Sequence, residues 1–385
     1  MDSGNSFLTV RENYQKAFEL LTSRQEISRV EISKELGVSL QTAMKIMQYF
    51  TDHGLAECVG EGIGNLGRKP QLYAFKPDSA YILAAVHEGN IVRVGVLDAA
   101  CRVLSEETEE IHGGLHDWLV EQPCGMAERL LNGLAEQGRT ARRRIGIGLC
   151  LPGVVDDVRN EISFAPSFAL NTSYYVGDLI KETEERLGIP AYIENDVNSA
   201  VYGEFRCTGS ANLAFISLGT GMGMGLVLDG KLRRGPAFSA GEIAFMPIAD
   251  ELAPGHWRGA EELVGLEALR RRFGFDRHFG VSGMKEETRE AMTGMISNVL
   301  AHIISTSAAL VNITEFVLGG LTVEILGDTL IEETRRKVNQ FSPFNAIVRG
   351  QSVPSPALIG AAKKVLDMQI GALMALDSKV DTLES

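Results

Sequence analysis

The chain has 385 residues, 45% hydrophobic and 23% charged, which is ordinary for a soluble globular protein and leaves room for two or three domains with large cores. No apolar run approaches the roughly 20 residues that span a bilayer, and Met1–Val10 has no basic stretch followed by an apolar one, so the sequence reads as cytoplasmic, with neither secretory signal nor membrane partner. The formal net charge of −13 is uneven: residues 1–77 hold nine Lys+Arg and nine Asp+Glu, so the whole excess falls on residues 78–385, and only the neutral head can approach nucleic-acid phosphates.

The head reads as three helices and a wing. Tyr14, Ala17, Phe18 and Leu21 give one apolar helical face. Ser28-x-x-Glu31 is a capping box that starts a second helix, with Ile27 placed to staple onto Ile32, and Leu36-Gly-Val38 ends it in a tight turn. Ser39 caps a third helix that buries Ala43, Ile46, Met47 and Phe50, presents Gln41, Thr42, Lys45 and Gln48 on the other side, and stops at Gly54. Leu55–Val59 and Gln71–Phe75 are short strands around a Gly-rich tip that carries Arg68 and Lys69. Two helices joined by a short turn, followed by a basic-tipped wing, predict a winged helix-turn-helix. A polar helix face alone also fits a solvated packing module.

From Tyr81 the pattern alternates strands and helices, with strands such as Ile145–Leu149 and Leu213–Leu218. Tyr81–Asp98 resembles Asn212–Asp229, 131 residues later: apolar strand, Gly-bearing turn, apolar strand, Asp. Two such hairpins, each heading an α/β lobe, predict a duplicated fold with a ligand-binding cleft between the lobes. Gly219-Thr-Gly-x-Gly-x-Gly225 could bring backbone N–H groups to a phosphate or simply permit close packing. Glu194-Asn-Asp-x-Asn198 clusters acids and amides suited to hydroxyl recognition, although capping of the following helix explains the same residues. Ala240-Gly-Glu242 and Arg258-Gly-Ala-Glu-Glu262 each add a carboxylate near glycine.

Two metal readings fail on spacing. His112 and His116 are separated by Gly113-Gly114, which breaks helical register, and the five cysteines (58, 101, 124, 150, 207) form neither a C-x-x-C pair nor an even disulfide set.

In order and spacing these segments resemble the ROK family of repressors, open reading frames and sugar kinases. The strongest portion runs from Ile193 to Phe245, supported by Ile145-Gly-x-Gly-x-x-x-Pro-Gly153, Val317-Leu-Gly-Gly320 and Leu358-Ile-Gly-Ala-Ala362. The resemblance implies an α/β fold: an N-terminal winged helix-turn-helix (1–77) followed by a duplicated, actin-like (ribonuclease H-like) two-lobed domain. Its first lobe is 78–195, completed by a C-terminal helix at 361–385, and its second lobe is 196–360. It also implies that Asn195, Asp196, Glu242 and Glu262 contact sugar hydroxyls, with Asp196 at the catalytic-base position.

The departures from the family pattern matter as much. Family kinases open with Asp-x-Gly-Gly-Thr, whereas this chain has Val86-His-Glu-Gly-Asn90, which removes support for metal and triphosphate. Phe245 stands where a sugar- and zinc-contacting His is usual, Ser167 where Asn is frequent, and Leu252–Ala260 offers His256 but no cysteine, so no zinc is expected. The expectation is therefore a DNA-binding repressor without enzymatic activity, metal or other cofactor. It would act as a homodimer or higher homo-oligomer on a double-stranded operator and respond to a sugar or sugar phosphate. Ser39, Gln41, Thr42, Lys45, Gln48, Arg68 and Lys69 would form the DNA face. The rival readings are an ATP-dependent sugar kinase with an appended head, and a scaffold that answers to a partner protein.

Overall fold

The computed structural model describes residues 3–62, 69–139, 143–165, 170–250, 253, 255–274, 284–341 and 346–380; Arg68 and Ser167 lie outside them. The head comprises α1 (Ser3–Ser23), β1 (Ile27–Ser28), α2 (Arg29–Leu36), α3 (Leu40–Asp52), β2 (Ala56–Glu61) and β3 (Gln71–Phe75). Both halves of the capping box form: the Ser28 amide donates to Glu31 Oε2 at 2.8 Å, and the Glu31 amide to Ser28 Oγ at 3.2 Å. Ser39 caps α3 by accepting from the Thr42 amide at 3.1 Å. The wing gains a third strand, since β1 pairs with β3 in the order β1-β3-β2. Phe18, Ile32, Ile46 and Phe50 are fully buried or nearly so, each contributing roughly 1.5–3 kcal/mol. This is a winged helix-turn-helix.

The first lobe has β4 (Tyr81–Glu88), β5 (Ile91–Asp98), β6 (Val103–Glu110), α4 (Gln122–Glu136), β7 (Arg144–Leu151), β8 (Val154–Asp156), β9 (Glu161–Ser163), β10 (Tyr174–Tyr175), α5 (Gly177–Leu187) and β11 (Ala191–Asn195). Its main sheet runs β6-β5-β4-β7-β11, antiparallel through the first three strands and parallel thereafter. After α6 (Asp196–Thr208), the second lobe opens with β12 (Leu213–Leu218), β13 (Met222–Leu228) and β14 (Lys231–Leu232). The small strands β15 (Pro247–Ala249) and β16 (Trp257–Gly259) follow, then α7 (Ala260–Val264), α8 (Leu266–Phe273), α9 (Glu286–Val311), β17 (Glu315–Gly319), α10 (Leu321–Leu326), α11 (Asp328–Phe341) and β18 (Ile347–Gly350). Its sheet runs β14-β13-β12-β17-β18 with the same alternation of directions. The weak repeat in sequence is thus a duplicated sheet order, the actin-like architecture.

Helix α9 is long and apolar enough to cross a bilayer by composition, which the absence of an unbroken apolar run had concealed, and half of its apolar window is buried inside the protein. It packs against α11 and the core of the second lobe.

The two lobes meet on a pair of helices. Helix α12 (Pro356–Val380) covers the first sheet through β7 and β4 and begins five residues before the expected 361. Helix α6 covers the second sheet, burying Ala200 and Val201 against Phe215 and Val227. The two helices also pack on each other. One apolar cluster runs from Phe18, Ile46 and Phe50 of the head through Ile82 and Leu97 of the first sheet to Leu358, Ala362 and Val365 of α12. The head is fused to the lobe through a shared core.

Candidate functional site

Strand β11 delivers Asn195 and Asp196 to the cleft between the lobes. Asn195 caps α6 by accepting from the Asn198 amide at 2.8 Å, while its Nδ2 donates to the Gly153 carbonyl at 2.9 Å and to Asp196 Oδ1 at 3.0 Å. Asp196 Oδ1 also accepts from the Val197 amide at 2.9 Å. Burial, with the Glu88 and Glu242 carboxylates nearby, pushes the Asp196 carboxyl up to about 7, so at neutral pH it both donates and accepts.

Glu242 is carried on a loop tied to β13, where the Met224 amide donates to the Gly241 carbonyl at 2.9 Å. Burial, reinforced by the neighbouring Glu261 carboxylate, raises its carboxyl above the usual range. Asn195, Asp196 and Glu242 therefore gather at one end of the cleft. Glu262 is exposed on the first turn of α7, beside Gly259. Its neighbour Glu261, which the motif did not single out, reaches the glycine loop instead: Glu261 Oε2 accepts from the Met222 amide at 2.7 Å and stands 2.9 Å from where a Cβ on Gly221 would lie. No local signal separates the two glutamates, because only the rotation of α7 decides which one faces the loop.

Two of the motif's residues are held inside the protein. Glu194 and Asn198 are buried, and Glu194 is the centre of an ion cluster. Arg234 Nε donates to it at 3.0 Å and Lys364 Nζ at 3.1 Å; Lys364 also reaches Asp157 at 2.7 Å. The first lobe, the second lobe and α12 are joined there.

Beside Asp196 the cleft is lined by Val86, Glu88, Arg93, Ser217 and Glu324. Burial raises the Glu88 carboxyl, Glu324 raises it further, and Arg93, 3.6 Å away, offsets part of the effect. The two duplicated hairpins touch here: a Cβ on Gly89, which has φ +67°, would lie 2.4 Å from Thr220 Cγ2.

Strand β15 pairs antiparallel with β16, and Arg258 Nε holds the buried Asp250 at 2.8 Å. Phe245, just before β15, and Trp257, in β16, are 69% and 66% exposed. Far from the cleft, His116, Glu121 and Glu182 offer ligand atoms within 4.8 Å of one another, but all three are exposed and His116 is paired with Glu182 at 3.0 Å; His112 is not among them.

On the head, Ser39, Gln41, Lys45 and Gln48 are exposed along α3, together with Leu40 and Met44, and Lys69 is exposed at the wing. The hydroxyls of Thr42 and Ser39 lie 2.9 Å apart and share a hydrogen bond, and Gln48 Nε2 donates to Asp52 at 2.7 Å.

The xylose repressor of Bacillus subtilis (strain 168) is 22% identical over 252 residues, 64% of this chain and 63% of that protein, so the chain spans less than two thirds of that relative's length. A candidate xylose repressor of Caldicellulosiruptor sp. (strain Rt8B.4) is 24% identical over 87% of this chain and 89% of its own. A glucokinase of Streptomyces coelicolor is 34% identical, over only 29% of this chain and 36% of its own. Among solved structures, a ROK family transcriptional regulator described as a homolog of the E. coli MLC protein superposes with a TM-score of 0.74 at 17% identity, over 95% of this chain and 98% of its own. A ROK family glucokinase from Streptomyces griseus, in complex with glucose and AMPPNP, reaches 0.57 at 22% identity over 74% of this chain and 98% of its own. The ROK family model matches residues 92–367, from β5 through both lobes into α12, and with that span matched the chain belongs to the ROK family.

Proposed function

We propose that this chain is a sugar-responsive transcription repressor whose kinase-like cleft binds a carbohydrate without phosphorylating it. The observation that carries the reading is the state of the two turns that would have to cradle a triphosphate. The first presents the Glu88 carboxylate and abuts Thr220 of the second, whose Met222 amide is already taken by the Glu261 carboxylate. Fixed negative charge where phosphate charge must accumulate opposes phosphoryl transfer, which depends on electrostatic support worth several kcal/mol.

Residues 1–77 serve as the DNA-binding unit, with Ser39, Gln41, Lys45 and Gln48 in the major groove, Thr42 steadying the start of α3, and Arg68 and Lys69 on the backbone. Residues 78–195 with α12, and 196–360, serve as the lobes. Asn195, Asp196, Glu242 and Glu262 take the sugar hydroxyls, with Glu262 joining when the lobes close. Two heads of a homodimer read a two-fold operator. Relatives named as xylose repressors make D-xylose the first effector to try.

Titrating a duplex selected by the protein from random sequence, in rising salt, tests the DNA claim. About six phosphate contacts give a log–log slope near −5, and a flat slope overturns it. A second reading, a sugar kinase with a head, is favoured by one feature: a carboxyl near 7 is well placed for a general base. Turnover of roughly 1–100 s⁻¹ in an ADP-release assay with D-xylose and D-glucose would establish it, and none is expected.

A further inference from the structure

Resting on the repressor reading, we propose that Arg206 is the positioning residue that couples the sugar cleft to the DNA-binding head, by joining the far end of α6 to Glu19 of α1.

Helix α6 begins at the cleft, where Asn195 caps it and Asp196 forms its first turn. It is gripped along its length by backbone rather than by adjustable side chains. A Cβ on Gly360 of α12 would lie 1.8 Å from the Ser199 carbonyl, one on Gly203 would lie 2.0 Å from the Pro356 carbonyl, and one on Gly225 of β13 would lie 2.6 Å from the Val197 carbonyl. Contacts this close leave no room for α6 to flex. A displacement at its first turn is therefore carried to its last turn as a rigid shift.

That last turn holds Arg206, whose side chain is only 14% exposed. Its Nη1 donates to Glu19 Oε1 at 2.6 Å, its Nη2 lies 4.0 Å from Asp367 of α12, and its guanidinium sits over the rings of Tyr202 and Phe205 at 5.8 and 5.7 Å. A forked, half-stacked guanidinium holds its orientation more firmly than an ammonium. On the head side, Glu19 neighbours Phe18, which packs edge-on against Phe50 of α3 and Phe75 of β3 at 5.9 and 5.4 Å. The chain of contacts thus runs from the proposed hydroxyl-binding pair to the recognition helix and the wing. Lys363, stacked on Phe18 at 5.4 Å and 3.6 Å from Asp367, ties α12 into the same junction.

The test uses the full-length protein, D-xylose, and a duplex that the wild type selects from random sequence. Glu19→Gln and Arg206→Ala are expected to keep D-xylose affinity within about twofold and sugar-free DNA affinity within about threefold, and to reduce the sugar-induced weakening of DNA binding at least fivefold (coupling of this kind typically spans 5–150-fold). Arg206→Lys keeps the charge but loses the fork and the stacking, and should retain only part of the response; a thermal midpoint near wild type for Glu19→Gln guards against unfolding. A second arm needs no sugar. Because coupling is reciprocal, DNA should change amide exchange across residues 197–208 in the wild type and leave it unchanged in Glu19→Gln. Variants that release DNA on sugar binding as the wild type does overturn the proposal, as does a DNA-induced change in α6 that is absent from the wild type or equal in Glu19→Gln. If the wild type ignores D-xylose while the exchange arm behaves as expected, the strut stands and the choice of effector fails.

Discussion

The two duplicated hairpins occupy the same place in their sheets and carry different side chains at their turns. In the second, Gly219–Gly225 remains glycine-rich and its Met222 amide is held by Glu261. In the first, the turn carries Glu88 into the cleft, while His87 is buried against Trp118 with ring centroids 3.9 Å apart and burial pulls its imidazole down to about 3, so it stays neutral. The ladder beneath is intact, pairing β4 with β5 from Tyr81↔Asp98 to Glu88↔Ile91. The side chains at a turn can therefore differ without disturbing the strands that present it, because strand pairing depends on backbone bonds and the turn's chemistry on its side chains.

The sharpest way to break the comparison is to add one methyl group to each hairpin. Gly225→Ala should cost about 3 kcal/mol, since the new Cβ meets the Val197 carbonyl and Val201, and backbone cannot rotate away; urea denaturation measures it. Gly89→Ala should cost about 1–2 kcal/mol, mostly for its left-handed backbone. The clash there is with the Thr220 methyl, so Thr220→Ser should recover part of the loss in the same assay, and equal costs for the two glycines would contradict the distinction drawn between them.

A gentler probe asks what the first turn repels. Glu88→Gly should tighten AMPPNP binding about tenfold, equivalent to roughly 1.4 kcal/mol, by calorimetry, while leaving D-xylose affinity unchanged. The smallest effect concerns pH. Asp196 ionises at 3.8 ordinarily and at about 7 in the folded chain, so between those values the folded state holds the extra proton and stability falls as pH rises, remaining low above 7. Asp196→Asn keeps an acceptor for the Val197 amide and cannot ionise near Glu88 and Glu242. It should therefore raise the thermal midpoint by about 2 °C at pH 8 and leave it unchanged near pH 4.

Local signals were legible because each is decided within a few residues. The Ser28–Glu31 box, the Ser39 cap and the strand–turn–strand repeat needed no knowledge of the rest of the chain. The Asn195-Asp196 pair and the capping of α6 were legible as a motif, though only the structure reveals that Asn195 Nδ2 also donates to the Gly153 carbonyl. The ion cluster at Glu194 was invisible, since Lys364 lies 170 residues away and Arg234 40, and contacts of that separation leave no periodicity. Neither could composition foretell that Arg258 of β16 would pair with Asp250 just after β15. Equally invisible was the continuous apolar cluster from Phe18 to Val365, whose parts lie far apart in the chain.

That continuity bears on how the protein is made. The head leaves the ribosome early and α12 far later, so at roughly 5–20 residues per second Phe18 and Leu21 wait many seconds for Ala362 and Val365 to arrive and cover their outer flank. A nascent or prematurely terminated chain carries an unfinished head, whose outer flank stays uncovered until translation has passed α12.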